Sequence, residues 1–230
     1  MKRIVAIELE QMRTKLSGYV GIFNYNLLNL CVEAEAVALL SVKVMTEEGE
    51  KNMEDVAKVA VDKKYHFIID PIYDDELQPI AKGIMKVHPE FKQEVKTWEG
   101  YDESDPAGKY IYCTMPEVNK DRRDVMNNAV DVLYNKCKAD MEAANAKATA
   151  KIATHMAGSS DSEIETVKNL REKNVQQFEE MRERLHTDKL KEIEDAYQEY
   201  LTKQVEQHQV DQEREEAEGN PTSMRLNSAD

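Results

Sequence analysis

The stretch VNKDRRDVMNNAV (118–130) places two adjacent arginines at the start of a predicted helix, in a chain of formal net charge −14. Guanidinium groups form charge-assisted, often bidentate hydrogen bonds with phosphate and carboxylate groups. Arg122 and Arg123 could be solvated residues of a first helical turn, although cations are slightly unfavourable beside the positive end of the helix dipole. The alternative is that they mark a face that meets an anion such as an RNA phosphate.

The rest of this predicted helix contains further cations that could contact phosphates. Residues 116–156 contain seven lysines and arginines against six acidic residues, whereas residues 33–115 contain ten against eighteen. The contrast favours a helical surface that faces RNA, since phosphate contacts supply most nucleic-acid affinity. Solvated surface is the alternative for each lysine. The candidate RNA-binding residues are Lys120, Arg122, Arg123, Lys136, Lys138, Lys147 and Lys151.

Residue types that could support a metal site or catalysis show none of the required spacings. The five histidines include no pair at metal-ligand spacing. The acidic run at 70–76 lacks the oxygen spacing and turn glycine of a calcium loop, which favours a strand-to-helix turn with acidic capping. The sequence contains no glycine-rich phosphate loop and no nucleophile motif. We therefore expect a protein that is not an enzyme and has no metal, no cofactor and no small-molecule substrate.

Composition narrows the class further. Charged residues make up 33% of the 230 residues and hydrophobic residues 41%, which is typical of a soluble helical protein with a modest core. The three cysteines have no paired spacing, so a reducing compartment is favoured over a disulfide framework or a zinc site. No apolar run approaches the roughly 20 residues of a membrane helix. The net acidity argues against a general polyanion binder but allows one local RNA-facing surface.

The first 32 residues predict one helix. Apolar residues recur there at alternating steps of four and three, which is typical of a coiled-coil-like seam. The predicted seam consists of Val5, Leu9, Met12, Leu16, Tyr19, Phe23 and Leu27.

Residues 33–115 follow a different pattern. LLSVKVM (39–45), YHFIIDPIY (65–73) and KYIYCTM (109–115) are rich in β-branched and aromatic residues and predict strands. DELQPIAKGIMKV (75–87) predicts a short helix. This segment is therefore an acidic α/β module.

Helical periodicity returns at residue 116 and predicts two long helices. Gly158 predicts a left-handed end for the first, and Ser162 with Glu165 forms a capping-box pattern for the second. The polar segment 211–230 predicts a disordered acidic tail. The two seams consist of Met126, Val130, Leu133, Cys137, Met141, Ala144, Ala148 and Ile152, and of Ile164, Val167, Leu170, Phe178, Met181, Leu185, Ile193, Tyr197 and Tyr200.

The order of these segments predicts an α+β protein, in which a long three-helix bundle carries a small α/β domain between its first and second helices. The predicted domains are residues 1–32 and 116–210 for the bundle, 33–115 for the insertion and 211–230 for the tail. Two narrow connections at one end of the bundle should act as a hinge.

Three stretches, taken in order, resemble the ribosome recycling factor family. The stretch at 115–152 resembles the family's PPLTEERRKDL motif and the helix it opens, with Asp-Arg-Arg at 121–123 on the family's Glu-Arg-Arg. VDKKYHFIIDPIYDDELQPIAKGI (61–84) resembles a family segment at matched spacing, and EQMRTKLSGYVGIF (10–23) matches the phase of its first helix. The similarity covers about residues 5–205.

The resemblance implies a three-helix bundle with a smaller α/β domain, together L-shaped like a tRNA. It also implies a post-termination function, in which the bundle lies on rRNA of the large ribosomal subunit near the peptidyl-transferase centre. A GTPase of the elongation-factor-G type would push the small domain so that the subunits separate, and the GTP would be hydrolysed by that partner.

The sequence departs from the family where the family contacts rRNA. Leu-Leu-Asn-Leu at 27–30 stands in place of Arg-Thr-Gly-Arg, and Glu-Ala-Ala-Asn-Ala at 142–146 stands in place of an Arg-Asn-x-Arg-Arg cluster. Losing several phosphate contacts should weaken rRNA binding by orders of magnitude unless other contacts compensate. Three hypotheses remain: a divergent recycling factor, a family member that acts as an assembly factor or structural component of the large subunit, and a coiled-coil scaffold, which leaves the insertion unexplained.

The same departures bear on location. Bacterial family members usually keep the arginine motifs, so the divergence favours a mitochondrial member that acts in the matrix, with the bacterial cytoplasm as the alternative. The N-terminal MKRIVAIELEQMR (1–13) does not resemble a signal peptide or presequence, which counts against the mitochondrial interpretation.

Overall fold

The computed structural model describes residues 2–218. The α-helices in this range are α1 Arg3–Leu28, α2 Val37–Leu40, α3 Met53–Val56, α4 Leu77–Val87, α5 Lys120–His155 and α6 Asp161–Glu218. The strands are β1 Lys43–Thr46, β2 Gly49–Asn52, β3 Ala57–Lys63, β4 His66–Pro71, β5 Lys92–Thr97 and β6 Lys109–Thr114. This order confirms the predicted fold class, a long helical region that carries a small sheet domain between α1 and α5.

The bundle consists of α1, α5 and α6, which pack against one another along their apolar faces. In α1 the buried face follows the predicted seam except at one position, where Val20 is buried and Tyr19 is only half-buried. With 3.6 residues per turn, the step from Leu16 to residue 20 stays closer to the centre of the buried face than the step to residue 19. In α5 the predicted seam is buried except for Leu133, which is half-buried.

The turn between α5 and α6 agrees with the sequence-based prediction at Gly158 and differs from it at the start of α6. Gly158 has a φ of 77°, the left-handed conformation predicted for a helix end. The predicted capping box at Ser162 is wrong, because α6 already begins at Asp161 and Ser162 lies inside its first turn. Ser160 is the residue in the capping position, and its Oγ accepts a hydrogen bond from the backbone N–H of Glu163 at 3.4 Å.

Helix α6 buries less of its predicted seam than α1 and α5 do. Val167, Phe178 and Ile193 are buried, but Leu170 and Met181 are largely exposed. At about 100° per residue, those two side chains lie roughly a quarter turn from the buried face. The prediction that the chain is disordered beyond residue 210 is wrong for 211–218, which continue α6. The remainder of that predicted tail lies outside the described residues.

The inserted domain contains an antiparallel β1–β2 hairpin and an antiparallel sheet of strand order β3-β4-β6-β5. Helix α4 covers one face of that sheet, and the shared core includes Phe67, Ile69, Ile80, Ile84 and Ile111. The predictions for β4, β6 and α4 are confirmed.

Other parts of the insertion were predicted incorrectly or missed. The strand predicted at 39–45 exists only from residue 43, since 37–40 form α2. Strands β2, β3 and β5 were missed because their sequences, such as KQEVKT in β5, are rich in charged residues that face solvent. None of the helices in residues 2–218 combines the length and apolarity needed to span a membrane.

Candidate nucleic-acid interface

Arg122 lies at the point where the two linkers between the domains come together. Its guanidinium donates hydrogen bonds to the backbone carbonyl of Cys31, at 2.9 Å, and to that of Pro116. Cys31 belongs to the linker that leaves α1, and Pro116 belongs to the linker that leads into α5. Burial lowers the pKa of the Arg122 guanidinium from its ordinary value, although the group stays charged at neutral pH. Arg122 is therefore not simply a solvated first-turn residue, because its half-buried guanidinium joins the two linkers. Contact of Arg122 with an RNA phosphate stays a prediction.

Arg123 is engaged on the bundle surface. Its guanidinium donates to Asp124 at 2.7 Å, approaches Glu194 at 3.9 Å and lies over the ring of Tyr197, 4.3 Å from the centroid. The two arginines therefore point to different surroundings, although they are adjacent in sequence. The helix start that positions both is fixed by Asn119, whose side-chain oxygen accepts from the Arg122 N–H at 2.9 Å.

The candidate lysines of α5 are exposed but do not form one surface. Lys136 and Lys147 are eleven residues apart, about three helical turns, so they share one side of α5. Lys120 and Lys138 are eighteen residues apart, about five turns, and share a side roughly half a turn away from the first. The structure therefore divides the predicted RNA-binding set into two separate sides of the helix.

The first of these sides borders a groove between α1 and α5. Lys147 and Lys151 from α5 line this groove together with Lys15 from α1. Lys151 is neutralised there by Glu8, with Nζ to Oε distances of 2.9 and 3.0 Å. Lys15 was missed by the sequence analysis, because its proximity to Lys147 depends on the antiparallel pairing of two helices that are distant in sequence.

The positions where the family has arginines differ in exposure. In the first motif Leu27 is buried and Leu30 is half-buried. On α5, Asn145 is half-buried, while Glu142 and Ala146 are exposed. Cations at the exposed positions would reach solvent or a ligand. Their replacement by apolar and acidic residues therefore removes positive charge from an accessible surface.

A second group of charged residues connects the sheet domain to α6. Lys64, in the β3–β4 turn, donates to Glu199 of α6, and Lys203 of α6 donates to Glu117 in the second linker at 2.8 Å. Lys203 also lies 3.2 Å from Glu199 and 5.0 Å from the centroid of the Tyr65 ring. This network could not be predicted from the sequence, since no local pattern indicates which turn of the sheet domain approaches the third helix.

The hydrogen bonds of this network shift the pKa values of its members. The bond to Glu117 raises the pKa of Lys203, and the bond to Glu199 raises that of Lys64. The bonds from Lys64 and Lys203 lower the pKa of Glu199. All three shifts favour the charged forms, so Lys64, Glu199 and Lys203 are ionised at neutral pH.

A metal centre is not indicated in the part of the chain that the structure describes. Within residues 2–218, no three histidine, cysteine, aspartate or glutamate side chains are grouped so that they could hold a metal ion. The cysteines are free and buried.

A family model for the ribosome recycling factor matches residues 28–218. The chain belongs to the ribosome recycling factor family. The match spans the sheet domain, α5 and the whole of α6, and it begins at the last residue of α1. A search of curated proteins returned no match.

Two solved structures of this family share the fold. A solution structure of the ribosome recycling factor is 14% identical, with a TM-score of 0.67, and the likeness covers 85% of this chain and 100% of that one. The second comes from models of the T. thermophilus ribosome recycling factor and the E. coli elongation factor G bound to the E. coli post-termination complex. It is 16% identical, with a TM-score of 0.52, over 82% of this chain and 98% of that one.

Proposed function

We propose that this protein binds the large ribosomal subunit after termination and, with a translocase GTPase of the elongation-factor-G type, separates the subunits. The observation that carries the proposal is the family-model match over residues 28–218. A structure with the same fold is described as a ribosome recycling factor bound with elongation factor G to a post-termination complex. The protein would supply binding and geometry, and the GTPase would supply the chemistry.

The surface that we assign to rRNA is the groove between α1 and α5. Lys15 and Lys147 are exposed along this groove, whereas Lys151 is paired with Glu8. Each cation that contacts a phosphate releases condensed counterions, which is the main source of nucleic-acid affinity. Lys15 and Lys147, with Lys136 on the same side of α5, would compensate in part for the arginines that the family has elsewhere.

A second candidate function is favoured by the residues at the family's arginine positions. Glu142 and Ala146 are exposed where the family presents cations. Weaker binding to rRNA is compatible with a protein that stays on the large subunit through contacts with ribosomal proteins. Such a protein would act as an assembly factor or structural component and would not split ribosomes.

Sedimentation and splitting assays separate these functions. Sucrose-gradient sedimentation with purified ribosomes should place the protein in the large-subunit fractions at low salt, and its absence from them would contradict both functions. Addition of the translocase GTPase and GTP to post-termination complexes should then release free subunits. Binding without release would favour the assembly or structural function.

The matched control for both assays is a pair of charge-reversed variants. Lys147→Glu changes the proposed rRNA groove, and Lys138→Glu changes the opposite side of the same helix. We expect Lys147→Glu, but not Lys138→Glu, to reduce association with the large subunit.

We also propose that the protein acts in the mitochondrial matrix, with the bacterial cytoplasm as the alternative. The loss of the arginine motifs, which bacterial members usually keep, supports this location. Import of the radiolabelled full-length precursor into isolated mitochondria, followed by protease protection, tests it.

A further inference from the structure

The sheet of the inserted domain has one face that α4 does not cover. Side chains alternate between the two faces of a strand, so Ile111 and Cys113 of β6 point into the core beneath α4 while Tyr110 and Tyr112 point to the other face. The strand register places Lys96 of β5 opposite Tyr110, and His66 of β4 opposite Thr114. We call this second surface the outer sheet face.

Aromatic rings are grouped on the outer sheet face. Trp98, one residue beyond β5, stacks on Tyr110 with the ring centroids 4.3 Å apart and the planes tilted by 30°. Tyr112 lies 5.2 Å from the ring of His66, and the ammonium group of Lys96 lies 3.6 Å from the centroid of Tyr112. Trp98 remains 38% exposed, so part of its ring is available to a ligand.

The polar edges of these rings are hydrogen-bonded to carboxylates that lie two strands away in the sheet. The indole N–H of Trp98 donates to Asp70 of β4 at 3.4 Å, and the hydroxyl of Tyr112 donates to Asp62 of β3 at 3.1 Å. Both bonds run across the sheet and hold the rings in fixed orientations. Rings held at their edges lose little conformational freedom when a flat ligand stacks on their open faces.

The charge of this sheet differs from that of the domain around it. Strands β3, β4, β5 and β6 contain five lysines and three acidic residues, whereas the rest of residues 33–115 contains five lysines and fifteen acidic residues. Two of the three acidic residues, Asp62 and Asp70, are those that bind the aromatic edges. On the outer sheet face itself, the register places four lysines and three carboxylates: Lys58, Lys63, Lys92 and Lys96 with Asp62, Asp70 and Glu94. Glu94 lies 3.8 Å from Lys96. This face is therefore much less acidic than the rest of the domain, so an anionic ligand meets less repulsion there.

We propose that the outer sheet face binds single-stranded RNA, with an unpaired base stacked on Trp98, Tyr110 supporting that ring and Lys96 beside it for the sugar-phosphate backbone. Aromatic side chains on open antiparallel sheets stack bases in this way, because every base has a π-face. Duplex RNA does not fit, since its base faces are covered by stacking. The site is separate from the groove between α1 and α5 and does not depend on the recycling function.

Trp98 allows a direct test, because it is the single tryptophan of the sequence. Its fluorescence in the full chain should be quenched, with saturation, by an unstructured oligoadenylate of about eight nucleotides, within the usual site-size range. A duplex of the same length should quench much less, and added salt should weaken the binding of the single strand. Absence of quenching, or equal quenching by the duplex, would overturn the proposal.

Substitutions at Trp98 test whether its ring is responsible for oligoadenylate binding. Fluorescence anisotropy of a labelled oligoadenylate measures the affinity of each variant. Trp98→Leu should bind at least about fivefold more weakly, as expected when a base-stacking ring is removed. Trp98→Phe, which keeps a ring, should bind more tightly than Trp98→Leu. Tyr73→Leu removes an exposed tyrosine that lies outside the sheet and should bind like the unaltered protein.

A second position keeps the test decisive if Trp98→Leu fails to fold. Lys96→Ala should weaken oligoadenylate binding and reduce its salt dependence, while circular dichroism stays unchanged. Equal affinity of the Trp98→Leu and Trp98→Phe variants would contradict the stacking role. Quenching of Trp98 by an oligoproline peptide but not by the oligoadenylate would assign the face to a polypeptide and overturn the proposal.

Discussion

The guanidinium of Arg122 donates to the carbonyl oxygen of Cys31, 91 residues earlier in the chain, at 2.9 Å. The same guanidinium donates to the carbonyl of Pro116, so one side chain holds both connections between the bundle and the sheet domain. The two connections are therefore joined by a residue in the first turn of α5. An arginine suits this position, because its planar fork can donate to two acceptors at once.

Replacing Arg122 with alanine should destabilise the protein by about 1–3 kcal/mol, because two partly buried carbonyl groups lose a charged donor. Urea denaturation at pH 7 measures this change. Arg122→Lys should restore only part of the loss, since an ammonium group lacks the fork. Lys120→Ala, at an exposed position two residues earlier, is the control and should change stability by less than about 0.5 kcal/mol. Equal stability of the two alanine variants would show that Arg122 does not hold the junction.

The buried faces of the bundle could be predicted from the sequence, because helical periodicity is a local property. Residues such as Leu16 in α1 and Val130 in α5 recur at the spacing that places them on one face, and both are buried. The same reasoning failed for Leu170 in α6. Its spacing fits a helix, but Leu170 lies about a quarter turn from the buried face of α6 and remains exposed.

The candidate site was less accessible to such reasoning. The sequence shows directly which residues of α5 are cationic. It does not show that the side chain of Arg122 turns inward to backbone carbonyls. The proximity of Lys15 to Lys147, and that of Lys64 to Glu199, depends on how distant segments dock. Contacts between such segments leave no periodic signal in the sequence.

Two glycines should respond to alanine in opposite directions. A Cβ atom at Gly83 of α4 would lie 2.9 Å from the carbonyl oxygen of Lys43 and 3.2 Å from the Val42 side chain. Gly83→Ala should therefore cost about 1–3 kcal/mol through overpacking. Gly18→Ala in α1 meets nothing within 4 Å and should stabilise the protein by about 0.5–1 kcal/mol. Thermal unfolding of both variants measures the difference, and a neutral Gly83→Ala would contradict the close approach of α4 to β1.

The cysteines should resist thiol reagents in the folded protein. Burial raises the pKa of Cys31 to about 11 and that of Cys113 to about 12, and it also raises the pKa of Cys137. Because the thiolate is the reactive form of cysteine, only a very small fraction of each thiol is reactive at pH 8. Titration with a chromogenic disulfide reagent should label all three rapidly in urea and only at the rate of unfolding without it. Fast labelling of one thiol in the native protein would show that its site opens locally.

The ion-pair network at the domain junction should stabilise the fold only within a pH window. The pKa of Glu199 is lowered, so its contribution is present above the unfolded value near 4.3 and is lost as the pH falls through the folded value. The pKa of Lys203 is raised, so its contribution is present below the unfolded value near 10.4 and is lost as the pH rises through the folded value. Glu199→Gln should lower the Tm at pH 7, and this difference from the unaltered protein should shrink as the pH falls below about 4.3 and through the folded pKa of Glu199. A difference in Tm that stays constant throughout an acid titration from pH 7 to pH 2 would mean that ionisation of Glu199 is not its source.

Charge reversal in the groove between α1 and α5 should weaken ribosome association more than charge reversal on the opposite side of α5. In the double variant Lys15→Glu/Lys147→Glu, two cations that face one groove become anions, so association should fall steeply at low salt. Lys120→Glu/Lys138→Glu makes the same change in net charge on the other side of the helix, and it should leave association nearly unchanged. Neutral double variants refine the measurement, because removing two phosphate contacts should reduce the slope of log affinity against log salt by about 1.5 to 2. Pelleting with large subunits over a salt series gives both quantities. Equal losses in the two charge-reversed variants would mean that net charge, and not this groove, governs the interaction with rRNA.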